Sequence, residues 1–348
     1  MIETGISLYI GSGIDKNTEI VKKAYEAHVT YAFTSLHIPE ETVADYQKEV
    51  KLLLNLCKTY KINLFVDVGP RTLDKLGFKS FEELAKSSVT HIRIDYGFSY
   101  DEIIQLSKLF TIVFNASTLL ESDIRELQAR KADLSRFIAC HNFYPKPLTA
   151  LSLDKTKKIN SRLKQMNIKT MAFVAGDKEF RGPLFLGLPT VEKHRNGDVL
   201  ENLLELHFQG ETDICLIGDV NIKDETWIQI KELQEGYVSI TVQLEEKYGF
   251  VKDIIHHDRP DSSDYVIRSQ ESREYGSPGK TIVKEKTKER KIGSISISNK
   301  DYLRYSGELE VARINLPKEE KVNIIGQVNE NEIKYLKYII NGMGIKFR

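Results

Sequence analysis

The chain has 348 residues, 41% of them hydrophobic, which is enough for a sizeable core and for two domains or one large domain with an appendage. Its 50 basic and 50 acidic residues cancel, which excludes the strongly basic profile of a general nucleic-acid or anionic-membrane binder. The N-terminus, MIETG, has no basic region followed by an apolar stretch, and no run approaches the roughly 18 apolar residues of a membrane span, so a cytoplasmic protein is expected.

Strand-like runs alternate with helical patterns through the first two thirds. Gly5–Tyr9 reads as a strand; Asn17 is the expected cap of a helix whose face carries Ile20, Val21, Ala24 and Ala27. Tyr31–Leu36 is the second strand, followed by an amphipathic helix through Val43, Tyr46, Val50, Leu53, Leu54 and Cys57. Ile62–Val68 is the third strand, stopped by Gly69 and Pro70, and Ser80 with Glu83 forms a capping-box pattern. His91–Asp95, Thr111–Asn115, Phe137–Cys140, Lys169–Val174 and Asp213–Ile217 are the remaining strands. Helices are expected over Tyr100–Phe110, Glu121–Lys131, Ser152–Met166, Asp198–His207 and Glu225–Leu233. Alternation of this kind predicts a parallel sheet with right-handed crossovers, and eight units in about 235 residues fit a closed (β/α)8 TIM barrel of the α/β class. The rival, an open doubly wound sheet, would want a glycine-rich phosphate fingerprint after strand one, and Gly11-Ser-Gly13 is too short for it.

Near Gly236 the pattern changes to short β-rich runs: Val238–Leu244, Tyr265–Arg268, Thr281–Val283, Gly293–Ser298, Glu308–Arg313 and Val322–Val328, with one helical stretch at Glu330–Ile340. The expected division is a barrel over 1–236 and a smaller, mostly antiparallel β domain over 237–348. Lys284–Lys291, KEKTKERK, reads as a solvated hairpin tip, and His256-His257 falls in a turn-like stretch with a proline and two acids.

Barrel active sites lie at the C-terminal ends of the strands. There the sequence offers Ser7 and Tyr9; His37, Glu40 and Glu41; Asp67 and Arg71; Arg93, Asp95 and Tyr96; Asn115; His141, Asn142, Tyr144 and Lys146; Asp177; and Asp219. Each has an ordinary structural role to set against the chemical one: Asp219 and Glu40 as helix caps, His37 as a satisfied structural histidine, Arg93 and Asp95 as polar groups sharing one face of a strand. Taken together, carboxylates, imidazoles and cations recur where a packed interior would carry Val or Leu, which is the raw material of acid–base chemistry. The segment Ala175–Arg195, AGDKEFRGPLFLGLPTVEKHR, is too long for an ordinary strand-to-helix turn. With Arg181, His194, Arg195 and several glycines, it is a candidate phosphate clamp. No HxH, HExxH or cysteine-pair spacing occurs, so neither a metal nor another cofactor is expected. Cys57, Cys140 and Cys215 read as reduced, buried thiols; Cys140 adjoins His141 but no motif stabilises its thiolate.

The motifs FTSLHIPEE (Phe33–Glu41), RIDYGF (Arg93–Phe98), NAS (Asn115–Ser117), HNFYPKP (His141–Pro147) and RGPLFLGLPTVEKHR (Arg181–Arg195) resemble those of the bacterial 6-phospho-N-acetylmuramidase family, formerly a domain of unknown function, some of whose members are labelled "outer surface protein". The resemblance covers essentially the whole chain. It implies a barrel followed by a cyclophilin-like β domain, and a cytosolic glycosidase of cell-wall (peptidoglycan) recycling without a cofactor. The substrate it implies is a phosphorylated amino-sugar disaccharide, N-acetylmuramic acid 6-phosphate β-1,4-linked to N-acetylglucosamine, delivered by a sugar phosphotransferase transporter. A cyclophilin-like fold does not imply prolyl isomerase activity. From position in the barrel, Asp95 and Asp177 are the expected carboxyl pair, with Glu41 and Glu192 in reserve; the substrate's 2-acetamido group offers an assisted route. Arg181, His194 and Arg195 are the expected phosphate contacts, with His141, Asn142 and Lys146 beside them and Arg71 on the lactyl carboxylate. The β domain is expected to narrow the pocket or make a homodimer contact. Two other classes stay open: a phosphosugar lyase or isomerase on the same barrel, and a non-catalytic muropeptide-sugar binding protein.

Overall fold

The computed structural model describes residues 2–35, 46–68, 72–94, 97–274, 281–285 and 287–348. The chain divides into two compact units, Met1–Gln234 and Glu235–Arg348.

In the first unit the elements run β1 (Glu3–Ser7), α1 (Ile14–Glu26), β2 (Tyr31–Thr34), α2 (Tyr46–Thr59), β3 (Asn63–Val68), α3 (Thr72–Leu76), α4 (Phe81–Leu84), β4 (Val89–Ile94), α5 (Tyr100–Ser107), β5 (Thr111–Asn115), α6 (Glu121–Ala129), β6 (Phe137–Cys140), α7 (Leu153–Gln165), β7 (Lys169–Val174), α8 (Val199–Phe208), β8 (Ile214–Ile217) and α9 (Asp224–Gln234). The strands pair in sequence order, all parallel, and β8 closes on β1. The closed eight-stranded barrel expected from the alternation is therefore the fold.

Period-two alternation sorts the strand side chains. Phe33, Phe65, Val113, Ile138, Cys140, Met171, Phe173, Ile214 and Leu216 form one buried cluster that fills the barrel interior. The helices bury single stripes: in α1 these are Asn17, Ile20, Val21 and Ala24. Asn17 is not the cap. Gly13 occupies that position, and the Asn17 side chain, inside the helix, donates to the Tyr9 carbonyl at 2.9 Å. Ser80 does cap α4, accepting from the Glu83 N–H, but Glu83 reaches back to the Lys79 N–H instead of that of Ser80, so the box is shifted by one residue. Ser152 and Asp198 cap α7 and α8. All three cysteines are buried and unbridged.

The second unit holds β9 (Tyr237–Ile240), β10 (Val242–Leu244), β11 (Ile255–His257), β12 (Val266–Arg268), β13 (Ser294–Ser298), β14 (Leu309–Ala312), β15 (Val322–Val328) and β16 (Gly344–Phe347). They form a five-stranded sheet, β10-β15-β13-β14-β12, and a three-stranded sheet, β11-β16-β9. Four expectations are corrected here. His256 and His257 belong to a strand, β11, with His256 buried between Ser269 and the Val251 carbonyl. Thr281–Val283 is not a strand, and the described part of Lys284–Lys291 forms no hairpin; Arg290 instead bridges to Leu316. The helical stretch near the end is a 3-10 segment, Glu330–Tyr338.

Candidate active site

The interior cluster is apolar up to the level of Phe33, Phe65 and Phe173, and its upper surface is aromatic. Phe143, half-buried, meets Phe173 edge-on at 5.1 Å and Phe33 at 6.0 Å between ring centroids. One step further along the strands, at the C-terminal end, the inward positions turn polar. Asp67 lies two residues beyond Phe65 on β3 and pairs in register with Arg93 on β4. The Arg93 Nε sits 3.8 Å from Asp67 Oδ1, and Arg93 Nη2 donates to Asn142 Oδ1, just past β6. Arg93 is 7% exposed. A guanidinium taken this far from water is retained only with partners, and here it links three strand ends into one polar layer above an aromatic floor. Asp67 and Arg93 were among the sequence candidates, though not in the expected carboxyl pair.

On the β8–β1 side, opposite β4 in the closed strand order, the mouth is built differently. Asp219 follows β8, is 1% exposed, and accepts backbone N–H bonds from Gly176 (2.8 Å), Arg181 (3.0 Å) and Leu188 (3.1 Å). It therefore folds the long segment after β7 rather than capping a helix. The segment passes so close that a Cβ on Gly218 would lie 2.3 Å from the Leu188 carbonyl oxygen, and Gly187 takes φ +80°, so both positions require glycine. Arg181 projects over the Tyr9 ring, its Cζ 4.7 Å from the centroid, while the Tyr9 hydroxyl donates to the Gly218 carbonyl. Lys16 and Glu179 pair beside it at 2.5 Å, both about two-fifths exposed. Neither was a sequence candidate: Glu179 is one of four charges in GDKEFR, and no spacing distinguishes it.

Several expected site residues are structural. Asp177 accepts from the Lys223 N–H (2.8 Å) and the Thr226 hydroxyl (2.7 Å), so both its oxygens anchor the start of α9. Glu192 is bound by Arg195 through Nε (2.6 Å) and Nη2 (2.8 Å) and accepts from the Ala150 N–H. The Arg195 bond holds its carboxyl down at about 2, the wrong direction for a proton donor at neutral pH. Arg195 also donates to the carbonyls of Tyr144, Lys146, Leu186 and Gly187, so it ties the segments after β6 and β7 together and has no fork left for phosphate. His194, 1% exposed, meets Glu205 at 2.8 Å, and burial lowers its pKa. His141, fully buried, faces α7, where Nε2 meets Asn160 Oδ1 at 2.7 Å; burial lowers its pKa to about 4, so it is neutral near pH 7. Asn142 is at the mouth as the acceptor of Arg93, Arg181 lies over Tyr9, and Lys146 is exposed. Asp95, Glu41 and Arg71, like His37, Glu40 and Tyr96, lie outside the described residues.

Family models match both units: residues 4–232 match the N-terminal part, and 237–348 the C-terminal part, of the 6-phospho-N-acetylmuramidase model. The chain belongs to the 6-phospho-N-acetylmuramidase family. A conserved Enterococcus faecalis protein of unknown function is similar over 99% of this chain and 96% of its own, with 32% identity and a TM-score of 0.78. An uncharacterized B. cereus protein shares the fold at 24% identity and a TM-score of 0.76, covering 100% of this chain and 99% of its own. A search of curated proteins finds no match. The family's name implies glycosidase activity on a phosphorylated muramic acid sugar. Among the described residues, no helix is long and apolar enough to cross a membrane.

Proposed function

We propose that this chain is a cytosolic glycosidase of cell-wall recycling. It hydrolyses the β-1,4 bond of N-acetylmuramic acid 6-phosphate–N-acetylglucosamine at the C-terminal mouth of its barrel, releasing N-acetylmuramic acid 6-phosphate and N-acetylglucosamine. The observation that carries this reading is the inward polar layer Asp67–Arg93–Asn142 above the Phe33–Phe143–Phe173 floor, in a chain that the family models match over both units. An aromatic floor accepts the apolar face of a sugar ring, and a carboxylate held against a guanidinium is placed to stabilise positive charge developing at the anomeric carbon. In this reading Asp67 takes the part expected of Asp177. It acts as base or orients the 2-acetamido group, and Asp95, two residues beyond Arg93 in the chain, donates the proton to the leaving oxygen. Arg181, across the mouth, takes the 6-phosphate with Lys146 in support, and Arg71 meets the lactyl carboxylate.

The test is incubation of the chain with the phosphorylated disaccharide in isotopically labelled water, followed by mass spectrometry. Hydrolysis gives free N-acetylglucosamine and a phosphomuramic acid carrying one labelled oxygen. Intact disaccharide would leave a binding protein, and an unlabelled, dehydrated product a lyase; either result overturns the proposal.

A further inference from the structure

The central strand of the five-stranded sheet, β13, reads Ser-Ile-Ser-Ile-Ser, and both of its faces are covered. Ile295 and Ile297 point into the core, yet Ser294, Ser296 and Ser298 on the other face are only 3%, 2% and 5% exposed. A sheet with one core face ordinarily turns its hydroxyl side to water. Here the register sets Glu310 between Ser296 and Arg268 on the second face, with Glu308 two residues earlier, just before β14. Arg290 and the 3-10 segment Lys300–Tyr305 contribute to the cover but do not fill the space. A cavity of about 390 Å³ remains, lined among others by Tyr265, Tyr302, Tyr305, Arg290, Glu308 and Glu310.

The lining identifies the kind of ligand. Each carboxylate has a guanidinium: Glu308 meets Arg268 at 2.5 Å and Arg259 at 3.5 Å, and Glu310 meets Arg290 at 3.4 Å. Asp261 holds Arg259 at 2.7 Å, so three carboxylates meet three guanidiniums and neither a free anion nor a cation is called for, while donors and acceptors both line the cavity. Tyr302 and Tyr305 stand edge-to-face at 6.4 Å, and Tyr265 and Tyr305 are 59% and 39% exposed. Arg304 covers one face of the Tyr305 ring at 4.8 Å and Lys321 one face of the Tyr302 ring at 5.4 Å; the opposite faces offer C–H contacts to a small ring, and the paired ions offer hydrogen bonds to its edge. Burial pushes the Glu310 carboxyl up, a penalty that hydroxyl donors to the carboxylate relieve.

We propose that this cavity in the second unit is a non-catalytic binding site for a neutral pyranose sugar. The site is independent of the barrel and of the reaction assigned to it. The test is saturation-transfer NMR and calorimetry on the full chain with N-acetylglucosamine and with glucose as probes. Affinity for at least one sugar should fall by ~10-fold in Tyr305→Ala, the loss expected of one aromatic platform. It should also fall in Glu310→Gln, which keeps the side-chain shape, and should be unchanged when the barrel of the Asp67→Asn protein is saturated with the phosphorylated disaccharide. Absence of binding of either sugar to the full chain would overturn the proposal. So would binding indifferent to both second-unit substitutions, or binding displaced by the phosphorylated disaccharide, which would place the sugar in the barrel.

Discussion

Asp219→Ala is expected to open the segment after β7 without dismantling the barrel. The carboxylate is 1% exposed and satisfies the N–H groups of Gly176, Arg181 and Leu188 at 2.8, 3.0 and 3.1 Å. Each buried donor left without a partner costs about 1–3 kcal/mol, so three would cost roughly 3–9 kcal/mol if nothing moved. Leu188 lies against Gly218 and is 2% exposed, so water enters there only if the segment lifts. Lifting limits the loss to roughly 3 kcal/mol and concentrates it locally. Because the chain has two units, a single unfolding free energy is a poor readout. Hydrogen exchange followed by mass spectrometry on peptides spanning 175–191 reads the effect directly, with peptides of β2–β5 as the internal control. Asp219→Asn, which keeps one carbonyl acceptor, should lose less protection than Asp219→Ala. Unchanged exchange over 175–191 in Asp219→Ala would refute the claim that this carboxylate folds the segment.

The Glu192–Arg195 clamp gives a pH dependence. With the folded carboxyl held at about 2 against an ordinary 4.5, its contribution is complete above pH 4.5 and is lost as pH falls toward 2. Protection over 185–196, taken against the intrinsic exchange rate at each pH, should therefore fall as pH drops across that window, and Glu192→Gln should flatten the dependence. Arg181→Ala should raise KM for the phosphorylated disaccharide by ~10–100-fold, the worth of one charged hydrogen-bonded contact, and leave an unphosphorylated analogue nearly unaffected; an equal effect on both would remove Arg181 from the phosphate. His141→Phe strands the Asn160 carbonyl and should cost ~1–3 kcal/mol of stability with KM unchanged; a raised KM at unaltered stability would return His141 to the mouth.

Most of the barrel was legible in the sequence because parallel strands buried on both faces read as short apolar runs between amphipathic helices. The ranges Thr111–Asn115, Phe137–Cys140 and Lys169–Val174 coincide with β5, β6 and β7. The site was less legible because facing is set by parity only while a strand lasts. Asp67 still belongs to β3 and keeps the inward parity of Phe65. Asp177 has the parity of Met171 and Phe173, but β7 ends at Val174, and the chain has turned by then, delivering the carboxylate to α9. In the Glu192–His194 turn, a spacing of three sets Glu192 against Arg195, so charges that look like a phosphate clamp neutralise each other. In the second unit, β11 and β16 escaped notice because strands of three and four residues carry little alternation.

The polar layer at the β3–β4 end of the barrel is tested most directly by the steady-state kinetics of Asp67→Asn on the phosphorylated disaccharide, with affinity for the product phosphosugar measured alongside. The substitution keeps the side-chain shape next to Arg93 and removes the charge. A lost catalytic carboxylate should lower kcat by ~10²–10⁴-fold and leave phosphosugar affinity largely intact. Near-normal kcat in a folded Asp67→Asn protein would contradict the account and move the chemistry elsewhere in the chain.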